Sequence, residues 1–259
     1  MQPRILAKLS NAGGVGKTTL AVNLAYEASL RGHSVGIIDL DQNHSIEEFV
    51  GTEPQQDPTK TSLALFDSNF KGDYPFISPI LGTDKIGLIQ GHPDIEHLKE
   101  VLSKKRRREY ILQKIFSSYP LNFDLIIIDL PGGYDILTEN VVVASTDILI
   151  PVNVGVKTFS VPDLVERILQ SFEELELSPP PKILGLLPNQ YDNKSSSDRM
   201  VLKALKDVAK ELKLKIYPAI RYWLNLKRAA IEGKSLKQLR STDSMNIIFS
   251  EIIDDIFSK

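Results

Sequence analysis

A short set of polar residues in this chain has the types and spacing that phosphate chemistry requires. Asn11-Ala12-Gly13-Gly14-Val15-Gly16-Lys17-Thr18-Thr19 follows the apolar stretch Ile5 to Leu9 and runs into the helical-looking segment Leu20 to Leu30. In a strand–turn–helix context, glycines let successive backbone N–H groups converge on phosphate oxygens, and the helix N-terminus adds the positive end of its dipole. A lysine at this place neutralises phosphate charge, and the hydroxyl beside it holds a divalent cation. Gly13, Gly14, Val15, Gly16, Lys17, Thr18 and Thr19 are therefore expected to bind phosphate, with Lys17 on the reacting groups and Thr18 on the metal.

Carboxylates at two further strand ends fit the same chemistry. Val35-Gly36-Ile37-Ile38-Asp39-Leu40-Asp41 reads as a buried strand ending in two acids. Phe123-Asp124-Leu125-Ile126-Ile127-Ile128-Asp129-Leu130-Pro131-Gly132-Gly133 reads as a strand buried on both faces, with Asp129 at its carboxyl end facing the metal. The Pro131-Gly132-Gly133 turn leaves a backbone N–H free to sense a terminal phosphate. Phosphoryl transfer asks the protein mainly to position water and neutralise charge.

The elements that must carry these residues alternate along the chain. Strands are expected at 4–10, 35–41, 124–129, 147–153 and 182–187, and helices at 17–31, 104–117, 138–144, 160–175 and 198–212, with a long helical C-terminal part. Alternating β and α predicts an α/β fold, a single P-loop domain over residues 1–259 with a mainly parallel central sheet and helices on both faces. Residues 50–85, rich in proline, are expected to be a surface loop region. The composition, 42% hydrophobic and 25% charged with a net charge of −2, suits one domain with a sizeable core. No apolar run approaches the ~18 residues that would span a bilayer, and no signal-peptide pattern opens the chain. The chain has no cysteine, which excludes disulfides, thiol catalysis and iron–sulfur ligation, and its four histidines lack metal-ligand spacing.

Gly-Gly-Val-Gly-Lys-Thr-Thr followed by Ala21-Val22-Asn23-Leu24-Ala25 resembles the deviant Walker A box of the ParA/MinD ATPases. The segment ending in Asp39 and Asp41 resembles that family's second box, although Gln42-Asn43-His44-Ser45 replaces its usual continuation, and the strand ending in Asp129 resembles Walker B. The resemblance implies ATP and Mg²⁺ as cofactors, Asp39 and Asp129 in the metal shell, and Asp41 orienting the attacking water. It also implies an ATP-dependent homodimer whose hydrolysis is stimulated by an adaptor on a cargo. Asn189 and Pro218 stand where relatives hold the adenine.

One departure narrows the resemblance. The family's signature lysine, which crosses the dimer interface, is Ala12 here. Lys157 lies just past the strand 147–153, at the sheet edge where ligands bind, and is the candidate substitute cation. Lysine-free members are mostly the carboxysome-distribution (McdA-like) branch, so that branch is the nearest likeness. It implies a cargo such as carboxysomes and an adaptor of the McdB or ParB kind. A plasmid or chromosome partition ATPase, and a non-hydrolysing ATP-binding scaffold, are the alternatives.

Charge is uneven: Lys203 to Arg240 holds eleven Lys/Arg and three Asp/Glu. Such a patch on an otherwise acidic protein is the footprint of a polyanion surface. Family members bind nucleoid DNA without sequence preference through this part, which implies Arg221, Lys227, Arg228, Lys234 and Lys237 as DNA contacts and a cytoplasmic, nucleoid-associated location. A second cluster, Lys104-Lys105-Arg106-Arg107-Arg108, is read as opening a helix against the dipole's preference, which adds to a binding role. The tail 246–257 is apolar on one side and acidic on the other; anionic lipid repels acidic faces, so the tail reads as a packing helix and no membrane partner is expected.

Overall fold

Alternate residues of each strand are buried against opposite faces of one sheet, which is why the strands read as unbroken apolar runs. The computed structural model describes residues 2–154, 160–221 and 224–258. Among them β1 (Arg4–Lys8), β2 (Val35–Asp39), β3 (Ile86–Ile89), β4 (Leu125–Asp129), β5 (Asp147–Asn153) and β6 (Lys182–Asn189) pair in parallel in the order β3-β2-β4-β1-β5-β6. The expected α/β architecture with a parallel sheet is present. The carboxyl ends of β2, β4, β1 and β6 therefore converge on one edge, the usual ligand edge of an open parallel sheet.

Ile5, Ala7, Ile126, Ile128, Ile148 and Ile150 pack against α3 (Ile95–Ser103), α4 (Ile111–Ser118), α5 (Ile136–Ala144), α6 (Val161–Glu174) and α7 (Ser196–Glu211). Leu6, Ile37, Ile127 and Leu149 pack on the other side against α1 (Lys17–Leu30), α2 (Ser45–Val50), α9 (Leu236–Leu239) and α10 (Asn246–Phe257). Between β6 and α9, α8 (Leu224–Ile231) leans on this second layer through Leu226 and Ala230. The C-terminal helix packs as its pattern predicts: Ile248, Phe249, Ile252, Ile253 and Ile256 are buried, while Asp254 takes Arg31 and both Glu251 and Asp255 take Lys215.

Several boundaries differ from the sequence reading. The strands expected at 4–10 and 35–41 end at Lys8 and Asp39, because the following residues turn into the site. The helix expected at 104–117 begins only at Ile111, as α4; Lys104 to Arg107 lie between the end of α3 and a 3₁₀ turn at Arg108–Tyr110. That cluster thus follows the carboxyl end of α3, where positive charge is favoured, and the argument for a binding role from an unfavourable dipole falls away. After the end of α2 at Val50, residues 50–85 hold short 3₁₀ turns at Pro58–Lys60 and Ser62–Phe66 and isolated bridges at Ile77, Ile80 and Thr83, but they are not all surface. Leu65, Phe66, Ile80 and Leu81 are buried, since the irregular chain closes the edge of the core beside β3.

Candidate active site

Three charged side chains lie in a row across the sheet. Ala7 is in register with Ile128, which sets Lys8 beside Asp129, and Asp39 is paired with Asp129 directly. Parity points all three toward the α1 layer, since Leu6, Ile37 and Ile127 face that way. All three are fully buried. The two oxygens of Asp129 are divided: Oδ2 accepts the Thr18 hydroxyl at 2.7 Å, and Oδ1 lies 3.1 Å from Lys8 Nζ.

Asp39 Oδ1 accepts the Asp41 backbone N–H at 2.8 Å, whereas its Oδ2 has no partner. Burial, the adjacent Asp129 and the nearby Glu47 hold the Asp39 carboxyl well above the ordinary carboxylate range. Glu47, also buried, accepts the Gly91 N–H at 2.7 Å, and Gly91 passes so close to β2 that a Cβ there would meet the Asp41 carbonyl at 2.5 Å. A buried carboxylate with an open oxygen beside a second carboxylate favours a hard cation in place of a proton. No group of three or more acidic or histidine side chains among the described residues is arranged to cage a metal by itself. Mg²⁺ takes a hydroxyl or carboxylate from the protein and the rest of its shell from phosphate and water, and Thr18, Asp39 and Asp129 are the residues that could hold it.

The glycine loop is shaped by Gly14 and Gly16, with φ of 72° and 87°, a conformation that costs little without a Cβ. It is fastened from two sides. On one, Asn189 donates to the Val15 carbonyl and Gln190 to the Gly14 carbonyl, each at 2.7 Å. On the other, Gly133 N–H donates to the Ser10 carbonyl at 3.0 Å, and a Cβ on Gly132 would meet Gly13 N at 2.5 Å. Lys17 is buried and donates to Ser10 Oγ at 2.9 Å and toward the Ala12 carbonyl at 3.4 Å. Burial lowers the proton affinity of its ammonium, and the field of Asp129 opposes that. Ala12 is itself buried and lines a small cleft with Ile150, Val152, Val161 and Leu164.

The loop, Lys17, Thr18, Asp39 and Asp129 thus lie together at one end of the sheet. Asp41 stands at the mouth, half-buried, its carboxylate accepting both the backbone and the side-chain N–H of Asn43. Lys157 lies outside the described residues. Beside the loop, a cavity of about 150 Å³ is lined by Gly16, Thr19, Asn189, Gln190, Arg221, Leu226, Lys227 and Ala230. Asn189 lines it, and its amide also braces Val15. Pro218 is exposed and is not among the residues lining that cavity.

The basic stretch is less continuous than it reads. The lysines of α7 belong to one helical layer, and Arg221 to Lys237 accompany the opposite one. Lys215 is taken up by Glu251 and Asp255, while Arg228 and Lys234 share Glu232 at 2.6 and 3.0 Å. Arg221 and Lys227 border the cavity next to the loop. Sequence reasoning missed Lys8, Ser10 and Gln190; a lysine closing an apolar strand just before a glycine loop was the available signal for the first. No helix among the described residues is long and apolar enough to cross a membrane.

Comparison with known proteins bears on the family and the fold. A family described as an AAA domain, AAA_31, matches residues 3–179. The chain is 25% identical to an uncharacterised protein of Methanocaldococcus jannaschii over 252 residues, 96% of each chain. It is 27% identical over 223 residues to the chromosome partitioning protein ParA of Caulobacter vibrioides, covering 84% of this chain and 79% of that one. Among solved structures it superposes on Cyanothece McdA with a TM-score of 0.85 at 25% identity, covering 98% of this chain and 99% of that one. A variant of the same McdA solved as an ATP complex gives a TM-score of 0.85 at 25% identity, with coverage of 98% and 96%. The septum site-determining protein MinD of Pyrococcus horikoshii, solved with Mg-ADP, shares the fold at a TM-score of 0.73 and 18% identity, over 99% and 96% of the two chains.

Proposed function

Because the chain belongs to the AAA_31 family, the ParA/MinD group of ATPases, we propose that it binds ATP with Mg²⁺ at residues 11–19 and hydrolyses it slowly until a partner acts. The observation that carries this reading is the 2.7 Å bond from Thr18 to Asp129, which joins the glycine loop to the acidic strand end. Lys17 moves from Ser10 and Ala12 to the β- and γ-phosphate oxygens, and the N–H groups of the loop and of the first turn of α1 complete the cradle. Magnesium, when bound, neutralises charge that develops on the phosphates. Thr18, Asp39 and Asp129 would hold its shell, Asp41 orients the attacking water, and the Gly132 N–H senses the terminal phosphate, the Gly133 N–H being taken by the Ser10 carbonyl.

The closing steps need a second copy. ATP brings two protomers together, and Lys157 serves as the cation that Ala12 does not provide. The dimer binds DNA without sequence preference through Arg221, Lys227, Arg228, Lys234 and Lys237, and hydrolysis shifts the population back to the weakly binding form. Similarity to McdA supports a positioning role for a cargo such as carboxysomes, with an McdB-like adaptor. Similarity to ParA supports a partition role, with a ParB-like one, as the second reading. In either case the protein works in the cytoplasm on the nucleoid.

Light scattering of the eluting protein with Mg-ATP, comparing the parent with Lys157→Ala, tests the scheme. The parent is expected to dimerise and the variant to remain monomeric. Dimers in both would show that Lys157 is not the substitute cation, and dimers in neither would favour an ATP-binding scaffold.

A further inference from the structure

The row of Lys8, Asp129 and Asp39 contains one member that the hydrolytic reading leaves without a task. Lys8 closes β1 with no exposed surface, at the end of a strand whose Ile5, Leu6 and Ala7 are buried in the core. Burying an ammonium is costly unless a charge compensates it, and an aliphatic residue would fill the same place at no such cost. Its Nζ has no aligned hydrogen bond; what holds it is the ion pair with Asp129 Oδ1 at 3.1 Å. Next along the row, Asp39 sits against Asp129 in direct register with one oxygen unpartnered, so two acids share one sheet position with a cation on a single side.

We propose that Lys8 is a built-in counter-ion for the metal site. It takes Oδ1 of Asp129, keeps Oδ2 turned to Thr18, and balances the charge of Asp129 before any metal arrives. The site is then preformed, and nucleotide enters without waiting for Mg²⁺. This inference rests on the reading of the loop as an ATP site. Lys8 lies beneath the loop and is a positioning residue: it acts through Asp129 and does not reach phosphate.

The test is the affinity of a fluorescent ATP analogue for the parent, Lys8→Met and Lys8→Gln, each measured in Mg²⁺ and in EDTA. Methionine keeps the length and removes the charge; glutamine also keeps a donor for Asp129. Removing the cation leaves the acids dependent on metal, so the ratio of the EDTA to the Mg²⁺ dissociation constant is expected to rise by about tenfold or more over the parent, a modest fraction of a close unit-charge interaction. Mg²⁺ without nucleotide should also raise the thermal midpoint of the variants and leave the parent's unchanged.

A residue that only fills space would lower the midpoint at every Mg²⁺ concentration and leave the ratio as in the parent, and that result overturns the proposal. If Lys8→Met does not fold, Lys8→Gln carries the same expectation. If neither folds even with Mg²⁺ present, metal cannot substitute for the lysine and the proposal falls. Failure of the parent itself to bind the analogue would refute the ATP reading, and this inference with it, and is distinct from a parent that binds with variants that match its ratio.

Discussion

Thr18 donates its hydroxyl hydrogen to Asp129 Oδ2 at 2.7 Å, across 111 positions of sequence. The bond ties the first turn of α1 to the end of β4 and leaves the other oxygen of Asp129 to Lys8. Asp129 is therefore held by two partners of different kinds, one that opens to ligand and one that does not. Most of what can be tested here follows from which groups are satisfied internally and which are left open.

Lys17 is the cation nearest the loop oxygens, and its present acceptors, Ser10 Oγ and the Ala12 carbonyl, are ones that phosphate can outcompete. Truncating one partner of a buried, charge-assisted pair weakens binding by about a hundredfold. Lys17→Ala is expected to lose ATP by at least that factor in a fluorescent-analogue titration, and to lose ATP-dependent dimerisation as well. Retention of parent affinity would show that phosphate does not sit in this loop.

Asp41 is half-buried with its carboxylate on Asn43, and the proposed reaction gives it the attacking water and not the loop. Asp41→Ala should bind ATP like the parent while turning it over about 10²- to 10⁴-fold more slowly, the usual span of a positioned acid or base. An ATP-bound dimer should accumulate in light scattering. Parent turnover in the variant would remove Asp41 from the reaction.

Gly132 is required by contact, not by an unusual φ. A Cβ there would lie 2.5 Å from Gly13 N and 2.7 Å from the Ala12 carbonyl carbon, both backbone atoms that cannot rotate away. Gly132→Ala must push the turn and the glycine loop apart, at a cost of about 1–3 kcal/mol. The expected result is a lower thermal midpoint together with weaker ATP binding. Gly133→Ala makes a useful comparison, because a Cβ there meets nothing within 4 Å but must adopt φ of 113°.

Asp39 sets a pH dependence. Its folded-state pKa is raised by burial and by Asp129 and Glu47. The metal-free folded protein therefore holds a proton that the unfolded chain releases near the ordinary carboxyl pKa, and stability falls as pH rises from there through the folded value. Each unit of difference is worth about 1.4 kcal/mol. Asp39→Asn keeps the acceptor for the Asp41 N–H and removes the penalty. In EDTA the variant should gain stability over the parent by an amount that grows with pH in chemical denaturation. With Mg-ATP the order should reverse, since the amide supports the metal poorly.

Glu232 draws Arg228 and Lys234 to itself, so it should blunt the proposed DNA surface. Glu232→Gln is expected to tighten DNA binding by the ATP-bound protein, whereas Lys227→Ala combined with Lys237→Ala should weaken it. Each phosphate contact contributes about 0.9 to the slope of log affinity against log salt. The double variant should lose up to about two such contacts, measured by fluorescence anisotropy across a salt series. An unchanged slope would place the DNA surface elsewhere.

The sequence by itself determined the parallel α/β fold, the glycine loop with Lys17 and Thr18, and the strand-end carboxylates Asp39 and Asp129. Those features are local: glycine conformation, strand polarity and apolar runs act over a few residues, so spacing alone exposes them. Register and packing decided the rest. Lys8 looks like a misplaced polar residue until β1 is set beside β4, and the partition of the two Asp129 oxygens exists only once Thr18 arrives from α1. The basic stretch reads as one patch, yet the sheet separates its helices onto opposite faces and distant acids from α10 neutralise Lys215. The cluster at Lys104 loses its dipole argument because α3 ends at Ser103, which places the first of these cations directly after a helix end. Pairing between groups far apart in sequence is a property of the folded sheet, and no period or motif along the chain encodes it.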